Sequence, residues 1–193
     1  MQITSQTILI RPSTDDDVPA MLDIYSHHIQ QGVGDLGAYE AEPLRAEDLK
    51  QRRKTMRKSR LPHLVAELGG IVAGYAYAVP FRKRPAYRYT LKHSIYIHGD
   101  FLHAGIGRIL LPALIDACAL AGYFQMIGYI DSTNAASLRL HEACGFERVG
   151  LLKSVGFKFG RWSDSVMVQR PLGEGDAALP GPWPMAGGLG ASE

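Results

Sequence analysis

Residues 102–108 read LHAGIGR, between the apolar runs HSIYIHGD and ILLPALIDACALAG. Two glycines one residue apart, where a strand-like pattern gives way to a helix-like one, let a backbone pass close to an anion. A helix starting there aims its free N–H groups and the positive end of its dipole at one point. A phosphate or pyrophosphate suits that point. Two nucleotide loops are excluded. Residues 105, 107 and 110 are Gly, Gly and Leu, which breaks the G-x-G-x-x-G/A fingerprint, and no Gly-Lys-Ser/Thr follows, as a P-loop requires. A glycine turn from strand to helix can also be geometry alone, so the stretch needs support from the rest of the chain.

The other reactive residue types point away from metal or disulfide chemistry. Cys118 and Cys144 each fall in an apolar or helical pattern without a partner at ligand spacing, and read as small core residues. His27 with His28, and His93 with His98, lack thiolate or carboxylate company at helical spacing, so no metal is expected. With 193 residues, 46% of them apolar and 21% charged, the chain can bury one substantial core. A net charge of +2 is too balanced to imply nucleic acid or an anionic membrane, so any basic site must be local. The start, MQITSQTILIRPSTDDD, lacks a basic region followed by a long apolar run, and no window is apolar enough to span a membrane. A cytoplasmic location is expected.

The elements that must position these residues follow in mixed order. TILIRP is a short strand. Ser13 or Thr14 then caps a helix whose first turn carries Asp15, Asp16 and Asp17, with Val18, Met21, Leu22, Tyr25 and Ile29 as its apolar stripe and Gly32 as its stop. GVGDLGAYEAEP reads as a mobile loop able to shape a pocket. RAEDLKQRRKTMRKSR is a helix in which eight of sixteen residues are Lys or Arg; without interleaved aromatics it reads as a solvated face rather than a nucleic-acid surface. LVAEL and IVAGYAYA form a hairpin through Gly69 and Gly70, and RYTLKHSIYIHGD is the next strand. The helix from Gly105 to Ala121 is expected to bury Ile106, Ile109, Leu110, Ala113, Leu114, Ala117, Cys118 and Ala121, although Pro112 interrupts its bonding. YFQMIGYID is a strand, STNAASLRLHEACGF a short helix, and FERVGLLKSV and FKFGRWSDSVMVQR two final strands. This gives one domain over residues 1–172. The Gly- and Pro-rich stretch 173–193 reads as a tail without a core, or an arm that lays Trp183 on a partner subunit.

This order, with AYRYTLKHSIYIH, GIG, NAASLRLHEACGF and VGFKFGRWSDSVMVQRPL, resembles the GNAT superfamily of acyl-CoA-dependent N-acyltransferases. Within it, the chain is similar to the phosphinothricin and methionine sulfoximine acetyltransferase group over about residues 7–172. The resemblance implies an α/β fold with a central, mostly antiparallel twisted sheet flanked by helices, its strands splayed at the cofactor site. It implies acetyl-CoA as co-substrate, a small amine or amino-acid acceptor, and a homodimer paired through the C-terminal strands.

The resemblance also assigns roles. Ile95, Tyr96 and Ile97 match the strand that bonds the pantetheine arm, and His103, Ala104, Gly105, Ile106, Gly107 and Arg108 match the pyrophosphate loop. Asn134 matches the residue near the cofactor's reactive end. Leu102 stands where the family has Gln or Arg. His141 matches the group that protonates the leaving thiolate, a task imidazole can perform near neutral pH. Lys92 stands where relatives carry a glutamate base. A protonated lysine reads instead as an anchor for a carboxylate or phosphinate, leaving His93, His98 or a water for the base, with residues 92 and 93 on opposite faces of the strand. Arg84, Ala86 and Tyr87 match the segment lining the acceptor pocket, where Arg84 would clamp a carboxylate. Lys158, Trp162 and Asp164 belong to the closing hairpin as structural or interface residues. The competing reading is an acyl-CoA-binding protein with little transfer activity, favoured by Lys92 and Leu102.

Overall fold

The computed structural model describes residues 7–30 and 45–181. The stop expected for the first helix at Gly32, the glycine-rich loop after it, and the end of the tail with Trp183 lie outside the described residues.

Seven strands form one sheet. β1 (Ile8–Pro12), β2 (His63–Leu68), β3 (Ile71–Pro80) and β4 (Thr90–Ile97) run antiparallel in sequence order; β5 (Gln125–Asp131) then lies parallel to β4, and β7 (Arg161–Pro171) and β6 (Glu147–Lys158) close the far side. Gly69 and Gly70, at φ +59° and +83°, make the tight primed turn between β2 and β3. The contact between β4 and β5 covers only Thr90–Lys92 against Gln125–Ile127. Beyond it the two strands part, and the edge of β4 facing β5 is open from His93 onward.

Helices cover both faces. α1 (Val18–Gln30) and α2 (Ala46–Lys58) pack Val18, Met21, Ile24, Tyr25 and Leu49 on Val65, Tyr75 and Tyr96. On the other face α3 (Ile106–Leu120) and α4 (Ala135–Ala143) pack Ile106, Leu110, Leu114 and Leu138 on Ala76, Leu91, Met126 and Val168. Strand alternation therefore sorts β4: Leu91 and His93 are buried toward α3 and α4, while Tyr96 belongs to the α1 side.

Three local readings differ. Asp15–Asp17 form a 3-10 turn ahead of α1, because Asp17 folds back to accept bonds from the Thr14 N–H and hydroxyl at 2.6 and 3.0 Å and from Arg11 at 2.8 Å. Burial alone would raise the Asp17 carboxyl, but these donors pull it down to about 2. In α3 the buried stripe is Ile106, Leu110, Leu111, Leu114, Ile115 and Cys118, with Ile109 44% exposed. The helix passes through Pro112; Arg108, whose carbonyl loses its helical donor, is exposed and open to water. Finally, β6 does not end near Val155. It continues through a bulge between Leu152 and Gly156 to Lys158, and the turn falls at Phe159 and Gly160, both at positive φ.

Candidate active site

The glycine turn is built as a ligand cradle. Gly105 caps α3 at φ +83° and ψ 0°, and His103 before it also has positive φ, at 64°. The Ala104 N–H donates to the Phe101 carbonyl at 3.2 Å and the Arg108 N–H to the Gly105 carbonyl at 3.0 Å, so those two amides are committed within the turn. The N–H groups of Ile106 and Gly107 have no intrahelical acceptor and face outward with the helix dipole. A groove of about 440 Å³ passes over them, bordered by His103, Gly105, Ile106, Gly107 and Arg108, by Ile95 and Ile97, and by Asn134 and Leu140 of the facing segment. A Cβ on Gly107 would lie 2.8 Å from Leu140 Cδ2, so this glycine lets α3 and α4 approach across the groove floor. Leu102 lies on the rim, half exposed, where it contributes surface but no hydrogen bond.

The groove leads to the gap between the splayed strands. There a narrow cavity of about 70 Å³ is bordered by His93, Ser94, Ile95 and Tyr96 of β4, by Gly128–Asp131 of β5, and by Asn134, Ser137 and His141. Asn134 caps α4 by accepting from the Ser137 N–H at 3.0 Å, which leaves its amide NH₂ for a ligand in either space. His141 is 2% exposed, and its Nδ1 lies 2.7 Å from the Ser137 carbonyl; burial lowers its proton affinity, against that bond. His28, on the inward side of α1 one turn after Ile24, borders both spaces and bonds the Ile97 carbonyl at 2.7 Å. Its place on the apolar stripe was the signal for it in the sequence. Asp131 is buried beside the cavity; Thr133 and Lys158, whose Nζ is 3.1 Å away, overcome the effect of burial and hold its carboxyl low. Lys158 is thereby a structural partner of the site, whereas Trp162 is 65% exposed.

On the opposite face a third cavity, of about 410 Å³, meets the narrow one at Ser94 and Tyr96. Its walls are tyrosines: Tyr75 stacks on Tyr96 with centroids 5.0 Å apart, Tyr77 stacks on His63 at 5.4 Å, and Tyr25 meets Tyr96 edge-on at 5.7 Å. Lys92 and Arg52 are its cations, and no Asp or Glu borders it among the described residues. Burial, then the nearby Arg53 charge, push His63 down to about 4, and its buried Nδ1 has no hydrogen-bond partner among the described residues. The tyrosines sit at alternate positions, 75 and 77, but only the fold brings them against 25, 63 and 96. Arg84, Ala86 and Tyr87 stand on the exposed loop around Pro85–Tyr87 and border none of these three cavities.

A groove over a helix N-terminus on one face, a tyrosine-walled cavity on the other and a gap joining them are the arrangement an acyl-CoA-dependent transferase needs. The model of the acetyltransferase (GNAT) family matches residues 22–146, and the chain belongs to that family. It is 47% identical over 172 residues, 89% of this chain and 86% of the relative, to phosphinothricin N-acetyltransferase of Alcaligenes faecalis. It is 43% identical over 113 residues, 58% of this chain and 66% of the relative, to the L-methionine sulfoximine/L-methionine sulfone acetyltransferase of Salmonella typhimurium. The crystal structure of a phosphinothricin acetyltransferase from Sinorhizobium meliloti in complex with acetyl-CoA superposes with a TM-score of 0.85 at 39% identity, covering 92% of this chain and 96% of that one. The protein is an N-acetyltransferase with acetyl-CoA as co-substrate. No described helix is long and apolar enough to cross a membrane, and no group of three metal-ligating side chains is gathered among the described residues.

Proposed function

We propose that the protein acetylates the amine of a small amino-acid-like acceptor bearing an anionic group, of the kind named for its phosphinothricin and methionine sulfoximine relatives. The observation that carries this reading is the tyrosine-walled cavity, whose charged lining among the described residues is Lys92 and Arg52. A carboxylate or phosphinate on these cations leaves the amine to reach the gap at Ser94 and Tyr96, where the thioester arrives from the other face. The same positive field disfavours an ammonium ion, so the bound amine loses its proton more readily. That effect takes over part of the task of the glutamate that Lys92 replaces. The neutral His63 Nδ1 is a further polar group for the acceptor. Arg84, Ala86 and Tyr87, in the exposed loop that joins β3 to β4 past the paired Val79 and Lys92, would meet the acceptor only on its way in. At the thioester, Asn134 holds the cofactor near its reactive end, and His141 serves the proton that the leaving thiolate takes.

Release of free thiol from acetyl-CoA, followed across a panel of amines, is the direct assay. Acidic amino-acid analogues are expected to turn over and polyamines not. Lys92→Glu should raise KM for anionic acceptors about tenfold or more through charge reversal. For acceptors without the anionic group kcat should rise, because a carboxylate base is restored. Rate constants unchanged for every acceptor would place residue 92 outside the chemistry.

The domain of residues 1–172 works, in this reading, as a cytoplasmic homodimer, with 173–193 as an appended tail. β6 is a 12-residue edge strand that exposes Leu151, Leu152, Val155 and Phe157, and the turn and the start of β7 expose Phe159 and Trp162. An apolar edge of this length is a template for pairing, and a second copy of the same hairpin is self-complementary to it. Light scattering at micromolar protein should give the dimer mass, and Leu151→Lys should shift it to the monomer. A wild-type monomer at all concentrations would contradict the assembly.

A further inference from the structure

His93 and His141 meet behind the narrow cavity, with Nε2 atoms 2.9 Å apart, ring centroids 5.1 Å apart and exposures of only 4% and 2%. Each ring also turns its Nδ1 to a backbone carbonyl: His93 to Ile127 at 3.0 Å, and His141 to Ser137 at 2.7 Å. A carbonyl oxygen only accepts, so both Nδ1 atoms carry hydrogen. A neutral imidazole has one N–H. Two neutral rings held this way would face each other lone pair to lone pair across 2.9 Å. One extra proton between the Nε2 atoms removes the conflict and completes all three bonds.

We infer that His93 and His141 together hold one proton on the line between their Nε2 atoms, and that this shared proton is the one supplied to the leaving thiolate of coenzyme A. It is the only ring proton of the pair not committed to a backbone carbonyl. His93 is thus a positioning residue that acts through His141. The inference rests on the transferase reading for its use, though not for its existence. In the transfer, the acceptor nitrogen bonds the acetyl carbon, the C–S bond breaks with its electron pair on sulfur, and the shared proton passes to sulfur to give the thiol. The pair, now neutral with opposed lone pairs, is the natural recipient of the proton that nitrogen sheds on becoming an amide.

The surroundings bound the charge at one. Burial lowers the proton affinity of both rings, and with the neighbouring imidazole takes His93 down to about 3, so burial opposes even the first extra proton; the three hydrogen bonds are what hold it, and a second is resisted more strongly still. The Phe146 ring lies 5.1 Å from each imidazole, and α4 presents only Ser137. From β5, Asp131 borders the cavity but its charge is matched by Lys158 of β6. From α1, His28 borders it while bonded to the Ile97 carbonyl. Tyr96 and Tyr129 complete the titratable lining among the described residues, and Lys92 lies across the sheet. Gly128 provides the room, since a Cβ there would sit 2.7 Å from His93 Cε1.

Nitrogen NMR of the full chain labelled at histidine, without ligands, tests the proton itself. Expected are two Nδ1 signals in the protonated range and two Nε2 signals at intermediate shift, titrating together in one step. Two independent titrations, or an Nε2 that stays unprotonated across the neutral range, would overturn the inference. Kinetics test its use. His93→Phe should lower kcat about tenfold or more at unchanged KM for acetyl-CoA, and move the alkaline limb of the kcat profile down by about one pH unit, since His141 loses the neighbour that holds its proton. His93→Gln, which keeps a donor toward His141, should recover part of kcat but not the wild-type profile. A folded His93→Phe with wild-type kcat and pH profile would also overturn the inference; should that variant not fold, the wild-type spectra decide. The spectra need no acceptor, so wild type that turns over no amine yet shows the shared signals would contradict the transferase reading alone.

Discussion

Gly105→Val is expected to abolish saturable binding of acetyl-CoA while the circular dichroism spectrum stays that of the wild type. A Cβ at this position meets nothing within 4 Å, so crowding is not the cause. The cause is the backbone: Gly105 caps α3 at φ +83°, and a β-branched residue held there costs about 1–3 kcal/mol. The chain relaxes by rotating the turn, which carries the N–H groups of Ile106 and Gly107 away from the pyrophosphate. Two hydrogen bonds to an anion are lost together, at about 1.5–3 kcal/mol each, so affinity should fall by a hundredfold or more in calorimetry. The strain sits at the start of one helix, where the rest of the fold is not disturbed. Gly107→Ala provides the contrast. Its Cβ would press on the end of the flexible Leu140 side chain rather than on backbone, so a weaker loss is expected. Wild-type affinity in Gly105→Val would remove the pyrophosphate from this turn.

His141→Gln is expected to reduce kcat by about 10²–10⁴-fold, the usual effect of removing a positioned acid. Binding of acetyl-CoA should be little changed, because His141 does not border the groove that passes over the glycine turn. The glutamine can still bond the Ser137 carbonyl and fill most of the space, so the variant should fold. It carries no exchangeable ring proton, and the thiolate must leave unprotonated or wait for water. The loss should be small for thioesters whose thiol is much more acidic than coenzyme A, since such a leaving group needs no proton. An equal loss for acidic and ordinary thioesters would make His141 a structural residue.

Much of this enzyme is written in its sequence because the determinants are local. The 3.6-residue period, the paired glycines of the β2–β3 turn and the Gly105 cap each act over a few residues, and each produces the expected element. Four motifs in the right order sufficed to indicate the family and hence the mostly antiparallel sheet and the splayed strands. Local competition explains two departures. In α3, apolar residues at 109, 113 and 117 compete with those at 111 and 115, and only the surface offered by the sheet selects which stripe is buried. In the last hairpin Gly156 reads as a break, yet β7 is long enough to hold β6 through its bulge.

What the tertiary structure alone decided is which distant side chains meet. His93 and His141 are 48 positions apart, on a strand and a helix, and no period relates them; their contact exists because β4 and β5 pair for three residues and then part, leaving α4 to close the gap. Tyr25, His63, Tyr75, Tyr77 and Tyr96 come from four elements, and their clustering beside Lys92 depends on the register of β2, β3 and β4. Sequence patterns fix which face a residue takes within its own element, because that follows from backbone geometry. The partner across the face is set by long-range register and packing, which bring together the histidine pair and the tyrosine-walled cavity.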